Sequence, residues 1–178
     1  VTDIAPVHSL VAQVMVGLGT PDLLVASNAS PHSFSLRPSQ ATALEQAQAV
    51  FWVGEGLTPW LEPLLDTLAP KAAQVELLHR PDTRTLAFRE DDAFAADGHD
   101  HGDAHGHDAH EDIDPHAWLN PDNALAWLDV IAAELAALDP ENAAAYAQNA
   151  QAAKDRLGAT VSEIEATLAP SRDKTFIV

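Results

Sequence analysis

Two of the nine histidines in this chain directly follow a proline, in stretches that share little else. His32 stands in Ala29-Ser30-Pro31-His32-Ser33-Phe34-Ser35-Leu36-Arg37-Pro38-Ser39, and His116 stands in Asp112-Ile113-Asp114-Pro115-His116-Ala117-Trp118-Leu119-Asn120-Pro121. Neutral imidazole is a common ligand for zinc and other borderline metals. The preceding proline restricts the backbone, and a stiff loop holds an imidazole where an ion needs it. Asp114, two residues before His116, is placed to orient that ring from behind.

Five more histidines (His99, His101, His105, His107 and His110) are interleaved with Asp97, Asp100, Asp103 and Asp108. Residues 90–114 hold ten acidic residues and no Lys or Arg. Such a segment is expected to be a solvated loop, disordered when empty. Mixed imidazoles and carboxylates on a flexible chain bind divalent ions in many interchangeable geometries, each weakened by the entropy of ordering the loop. These five are therefore auxiliary, weak metal sites. A purification tag is normally terminal and uniform, whereas this tract is internal and mixed. His8, at the start of a helical pattern, and His79, directly after a strand pattern, read as structural.

Other chemistries lack their residues. The chain has no cysteine, which excludes disulfides, thiolate zinc sites and a Cys nucleophile within it. There is no Gly-rich phosphate loop, no His-Glu-x-x-His helix and no Gly-x-Ser-x-Gly elbow. Glu55, in Trp52-Val53-Gly54-Glu55-Gly56, is the one carboxylate placed to act as a ligand or a base, or simply to add negative field. Nine Lys and Arg against 27 Asp and Glu set the formal net charge at −18. That surface repels nucleic acid and anionic lipid and attracts cations. No run of 18 apolar residues is present, so no membrane span is expected.

The elements that must position these residues alternate in type. Short apolar runs at 1–4, 23–26, 50–53 and 75–78 read as strands. Helical spacing covers 8–16, 58–68 with Pro59 in its first turn, and a stretch from Ser39, a good N-cap, to about Gln48. Asn120 caps a helix opened by Pro121 and running to about Ala137. Asp139 begins another, opened by Pro140 and reaching about Leu168, with Gly158 its one weak point. Strands alternating with helices imply an α/β lobe built on a mainly parallel, four-stranded sheet flanked by helices. In such sheets ligands bind beyond the carboxyl ends of the strands, and His32 falls in a loop of that kind. The run Lys174-Thr175-Phe176-Ile177-Val178 reads as a further strand, with more protein expected beyond it.

At this point the chain resembles the periplasmic solute-binding proteins of zinc ABC transporters, within a larger group that also carries manganese and iron. The resemblance spans the chain. It is carried by Ser30-Pro31-His32-Ser33-Phe34-Ser35-Leu36-Arg37-Pro38-Ser39, by Val50-Phe51-Trp52-Val53-Gly54, by Asp114-Pro115-His116-Ala117-Trp118-Leu119-Asn120-Pro121 and by the His/Asp-rich insertion before the second His. It implies two α/β lobes joined by one long helix, with Zn2+ in the cleft between them. Residues 1–138 would form the N-terminal metal-binding lobe, with its insertion at about 90–113. Residues 139–169 would form the inter-lobe helix, and 170–178 the first strand of a second lobe absent from this chain. His32 and His116 align with the family's first two metal-binding histidines. The third ligand comes from the second lobe, after a strand resembling 174–178. Some zinc-branch members place a Glu immediately before the first His, where this chain has Pro31, so the fourth ligand falls to water or a second-lobe carboxylate. The resemblance further implies a monomeric, non-enzymatic periplasmic carrier, its signal peptide removed, whose partner is an ABC transporter permease.

Three other readings compete with zinc import. Manganese or iron carriage would favour more carboxylate oxygen around the ion. A zinc hydrolase would need a general base near His32 and His116, for which Glu55 is the candidate. A metal buffer would act mainly through the His-rich segment.

Overall fold

Val50, Phe51 and Trp52 are large, apolar and consecutive, and they build a strand buried along its whole length, β1 (Ala49–Trp52). The computed structural model describes residues 1–88 and 113–175. Strand β2 (Ala73–Glu76) runs parallel to β1, in register from Ala49 opposite Ala73 to Trp52 opposite Glu76. The first residues extend this pairing. Thr2 bridges in parallel to both Phe51 and Leu23, and Leu24 and Val25 donate to the Thr2 and Asp3 carbonyls at 2.9 and 2.8 Å. Two of the four expected strands are thus full ladder strands, while the segments around Thr2 and Leu23 join through single bridges. In the first segment Pro6 and helix α1 (Ala5–Val14) take the chain away after only a few extended residues, and the segment around Leu23 runs into the irregular loop before Pro38.

Helix α1 buries Val7, Val11 and Val14, spaced four and three apart as one helical stripe. Helix α2 (Pro38–Glu45) follows the His32 loop. It starts with Pro38 in the first turn, so Arg37 rather than Ser39 takes the cap position, and the Arg37 N–H donates to Gln40 Oε1 at 2.8 Å. Helix α3 (Glu62–Leu68) is shorter than the expected 58–68, because residues around Thr58 form turns and Pro63 occupies its first turn. Helix α4 (Pro121–Leu138) opens where Asn120 accepts from the Asp122 N–H at 3.0 Å. It buries Trp127, Leu128, Ile131 and Leu135. A short 3-10 turn, Pro140–Asn142, precedes α5 (Ala143–Leu168), whose 26 residues extend about 39 Å. Gly158 does not break α5, and a side chain there would meet nothing within 4 Å. Helix α5 packs on α4 and α1 through Tyr146, Ala150 and Ala153 and buries nothing beyond them. Of the strand expected at 174–178, the described Lys174 and Thr175 are not in a strand; Lys174 N–H closes a turn on the Ser171 carbonyl.

Asp3 ties the start of α1 to the end of β1. Its carboxylate is wholly buried and accepts from the Ile4 N–H at 2.7 Å and the Val53 N–H at 2.8 Å. Burial pushes its pKa up to about 7, against the pull of those two donors. A carboxyl whose folded pKa is raised contributes most below its ordinary value, and that contribution is lost as pH rises through about 7. Asp3→Asn offers one carbonyl oxygen where two donors must be met, leaving a buried N–H facing an amide NH2. Urea unfolding should find this variant about 1–3 kcal/mol less stable at pH 6. The gap should narrow at pH 8, where the wild type carries a buried charge.

Candidate metal centre

The His32 loop, residues 26–37, has no repetitive structure, so discrete contacts hold it. The Ala29 N–H closes a turn on the Ala26 carbonyl. The Trp60 indole N–H donates to the Pro31 carbonyl at 2.7 Å, and the Phe34 and Trp60 rings pack with centroids 5.3 Å apart. Gln40 at the start of α2 donates to the Leu24 carbonyl at the root of the loop.

His116 is held differently. It immediately precedes the 3-10 turn Ala117–Leu119, which runs into α4. Asn123, fully buried in the first turns of α4, donates to the carbonyls of Ala117 and Arg84 and accepts from the Arg84 N–H. One side chain thus fixes the His116 segment against the strand-like stretch beside it, where Ala87 bridges Ile113 and the Asp114 N–H meets the Leu86 carbonyl. A single oxygen of Asp114, Oδ1, accepts from the His116 backbone N–H at 2.9 Å and from its ring Nδ1 at 2.7 Å. The backbone N–H, and then the ring, hold the Asp114 carboxyl below the ordinary carboxylate range. An ionised carboxylate only accepts, so Nδ1 carries the proton, and in the neutral ring Nε2 keeps its lone pair. Asp114 stands where its spacing from His116 led us to expect it.

The two loops bring His32 and His116 together. Their ring centroids are 5.5 Å apart with planes at 63°. Two nitrogens on a tetrahedral zinc lie about 3.3 Å apart, given bonds of ~2.0–2.1 Å, and rings at this separation can reach one such ion. Trp118 flanks His116 with its ring centroid at 5.0 Å. His32 is exposed and the His116 side chain is 39% exposed, so the pair sits on an open edge. Among the described residues no three His, Asp or Glu gather as a metal cage. This edge offers two nitrogens, half of a four-ligand shell.

The remaining candidates lie elsewhere. His8 Nε2 meets the Pro21 carbonyl at 3.0 Å, a structural contact. His79 Nδ1 meets Glu76 Oε1 at 2.9 Å. Both residues line a cavity of about 580 Å3 with Glu55 and Glu62; it reaches Pro115 but neither His32 nor His116. Glu55 lines that cavity, and it forms no three-residue metal cluster with the paired imidazoles. His99, His101, His105, His107 and His110 lie outside the described residues. Trp60 and Asn123 were not legible as site-building residues, because nothing in their sequence neighbourhoods points to the distant carbonyls they bind.

A family model described as zinc-uptake complex component A, periplasmic, matches residues 1–178. The high-affinity zinc uptake system protein ZnuA of Paracoccus denitrificans (strain Pd 1222) is 42% identical, covering 100% of this chain and 59% of its own length. The protein of the same name from Brucella abortus (strain 2308) is 38% identical, covering 100% and 60%. The chain thus spans about three fifths of these relatives' length. Among solved structures, a crystal structure of ZnuA superposes with a TM-score of 0.74 at 26% identity, over 98% of this chain and 60% of that one. The metal-dependent lipoprotein YcdH from Bacillus subtilis follows at 0.72 and 21% identity, over 97% and 56%, a likeness of fold.

The Asp114 contact makes a testable statement about the imidazole. Ring 15N shifts of His116 at pH 8 should report the Nδ1-protonated tautomer. Asp114→Ala should return it to the Nε2-protonated form that isolated imidazoles favour. An unchanged tautomer in the variant would show that Asp114 does not set the ring.

Proposed function

As this chain belongs to the family of periplasmic component A of zinc-uptake complexes, we propose that it is the metal-capturing lobe of a binding protein that collects Zn2+ in the periplasm. The protein then delivers the ion to the membrane permease of an ABC transporter for high-affinity import. His32 and His116 are the ligands this lobe supplies, and the observation that carries the reading is their approach to 5.5 Å from loops far apart in the chain. Residues 1–138 are the lobe and α5 is the connector. The third ligand lies in the part of the relatives' length that this chain does not cover, and water or a carboxylate from there completes the shell.

The donor set favours zinc. Two imidazole nitrogens with the carboxylate behind one of them suit a borderline ion, whereas manganese and iron(II) prefer more direct oxygen ligation. The open edge also suits a cargo ion. A half-shell holds it weakly until a second lobe closes the coordination and excludes water. Protons compete for the same nitrogens, so capture weakens on acidification. Carriage rather than hydrolysis is further supported by Glu55, which lines the neighbouring cavity and does not group with the two imidazoles into a metal cluster. No helix among the described residues is long and apolar enough to cross a membrane.

The test is zinc affinity of the full-length protein, measured against a competing chelator. His32→Ala and His116→Ala should each weaken binding by at least about 100-fold, more than is usual for loss of an outer partner. Deleting residues 98–110 should leave the high-affinity step in place. If the deletion abolishes that step and the two single variants do not, the protein is a buffer working through its His-rich segment.

A further inference from the structure

The two imidazoles are not held alike. His116 has Asp114 bonded to its ring, whereas among the described residues the His32 ring has no hydrogen-bond partner, only the edge of His116 beside it. The direction of His32 must therefore come from its backbone, and that backbone lies in a loop without repetitive structure. We infer that Trp60 is the positioning residue for His32, holding the loop on both sides of it with one indole. This deepens the metal-capture reading and rests on it.

The geometry is specific. Trp60 donates its indole N–H to the Pro31 carbonyl at 2.7 Å across 29 residues. That oxygen belongs to the peptide unit joining Pro31 to His32. The unit is planar, so fixing its oxygen fixes the plane from which the His32 nitrogen and Cα depart. The proline ring fixes φ on the preceding side. Two residues beyond His32, Phe34 packs on the same indole with centroids 5.3 Å apart. The imidazole therefore stands on a short arch with both feet on Trp60. Trp60 itself is half-buried in the turn region before α3, on the chain that leaves the carboxyl end of β1. Its polar tip is the part that matters. A phenyl ring would keep the apolar contact with Phe34 and lose the hold on the peptide plane.

Trp60→Phe tests this in the full-length protein, with His32→Ala alongside. Zinc affinity by chelator competition should fall about 10–100-fold in Trp60→Phe, the range for loss of a partner that orients a ligand. The thermal midpoint of the metal-free protein should stay close to wild type. Unchanged affinity in Trp60→Phe, with His32→Ala strongly weakened, overturns the inference and leaves metal capture standing. Unchanged affinity in His32→Ala overturns metal capture at this edge. Should Trp60→Phe fail to fold, the wild type still decides. Orientation by Trp60 and binding at His32 are reciprocal, so zinc should slow solvent exchange of the Trp60 indole proton. An exchange rate indifferent to zinc overturns the inference.

Discussion

Parallel pairing of short apolar segments is the constraint on which the rest of the molecule depends. β1 and β2 run the same way, and the segments around Thr2 and Leu23 join them in that direction. Every loop leaving such a pairing starts from the same edge. The His32 loop departs after Val25, the turns carrying Gly54 and Trp60 after β1, and the His79 turn after β2. Side chains distant in sequence become neighbours because the strands end together.

Apolar burial supplies the rigidity behind that edge. Phe51 on β1 and Trp127, Leu128 and Ile131 on α4 are almost wholly buried, and α1 packs against both β1 and α4. Polar groups inside this core are few and mostly carry connections. Asp3 joins α1 to the end of β1, and Asn123 joins α4 to the segments around Arg84 and Ala117. Each satisfies backbone groups that would otherwise be buried without partners, which is costly. The same bonds fix where the edge loops begin, so stability and site geometry share their parts.

At the edge itself the design is one of partial commitment. His116 is oriented through its ring by Asp114, and His32 through its backbone by Trp60. Neither imidazole is deeply buried. An ion held by both would keep open positions toward solvent. The net charge of −18 favours cations over anionic partners.

The sequence alone determined much of this. The Pro-His pairs named the two imidazoles, Asp114 declared itself by spacing, and the five α-helices among the described residues were located by periodicity and caps, because local pattern and local chemistry act within a few residues. It overran α3 and misplaced the start of α2, since proline positions and turns compete over single residues there. It expected four full strands where two segments contribute only single bridges, because the chain turns away after a few extended residues, into α1 after Thr2 and into the His32 loop after Leu23. Only the tertiary structure decided that His32 and His116 meet, that Glu55 lines the cavity beside His79, and that Trp60 and Asn123 reach across the fold to distant carbonyls. Those facts rest on contacts between residues far apart in the chain, whose distances no local pattern encodes.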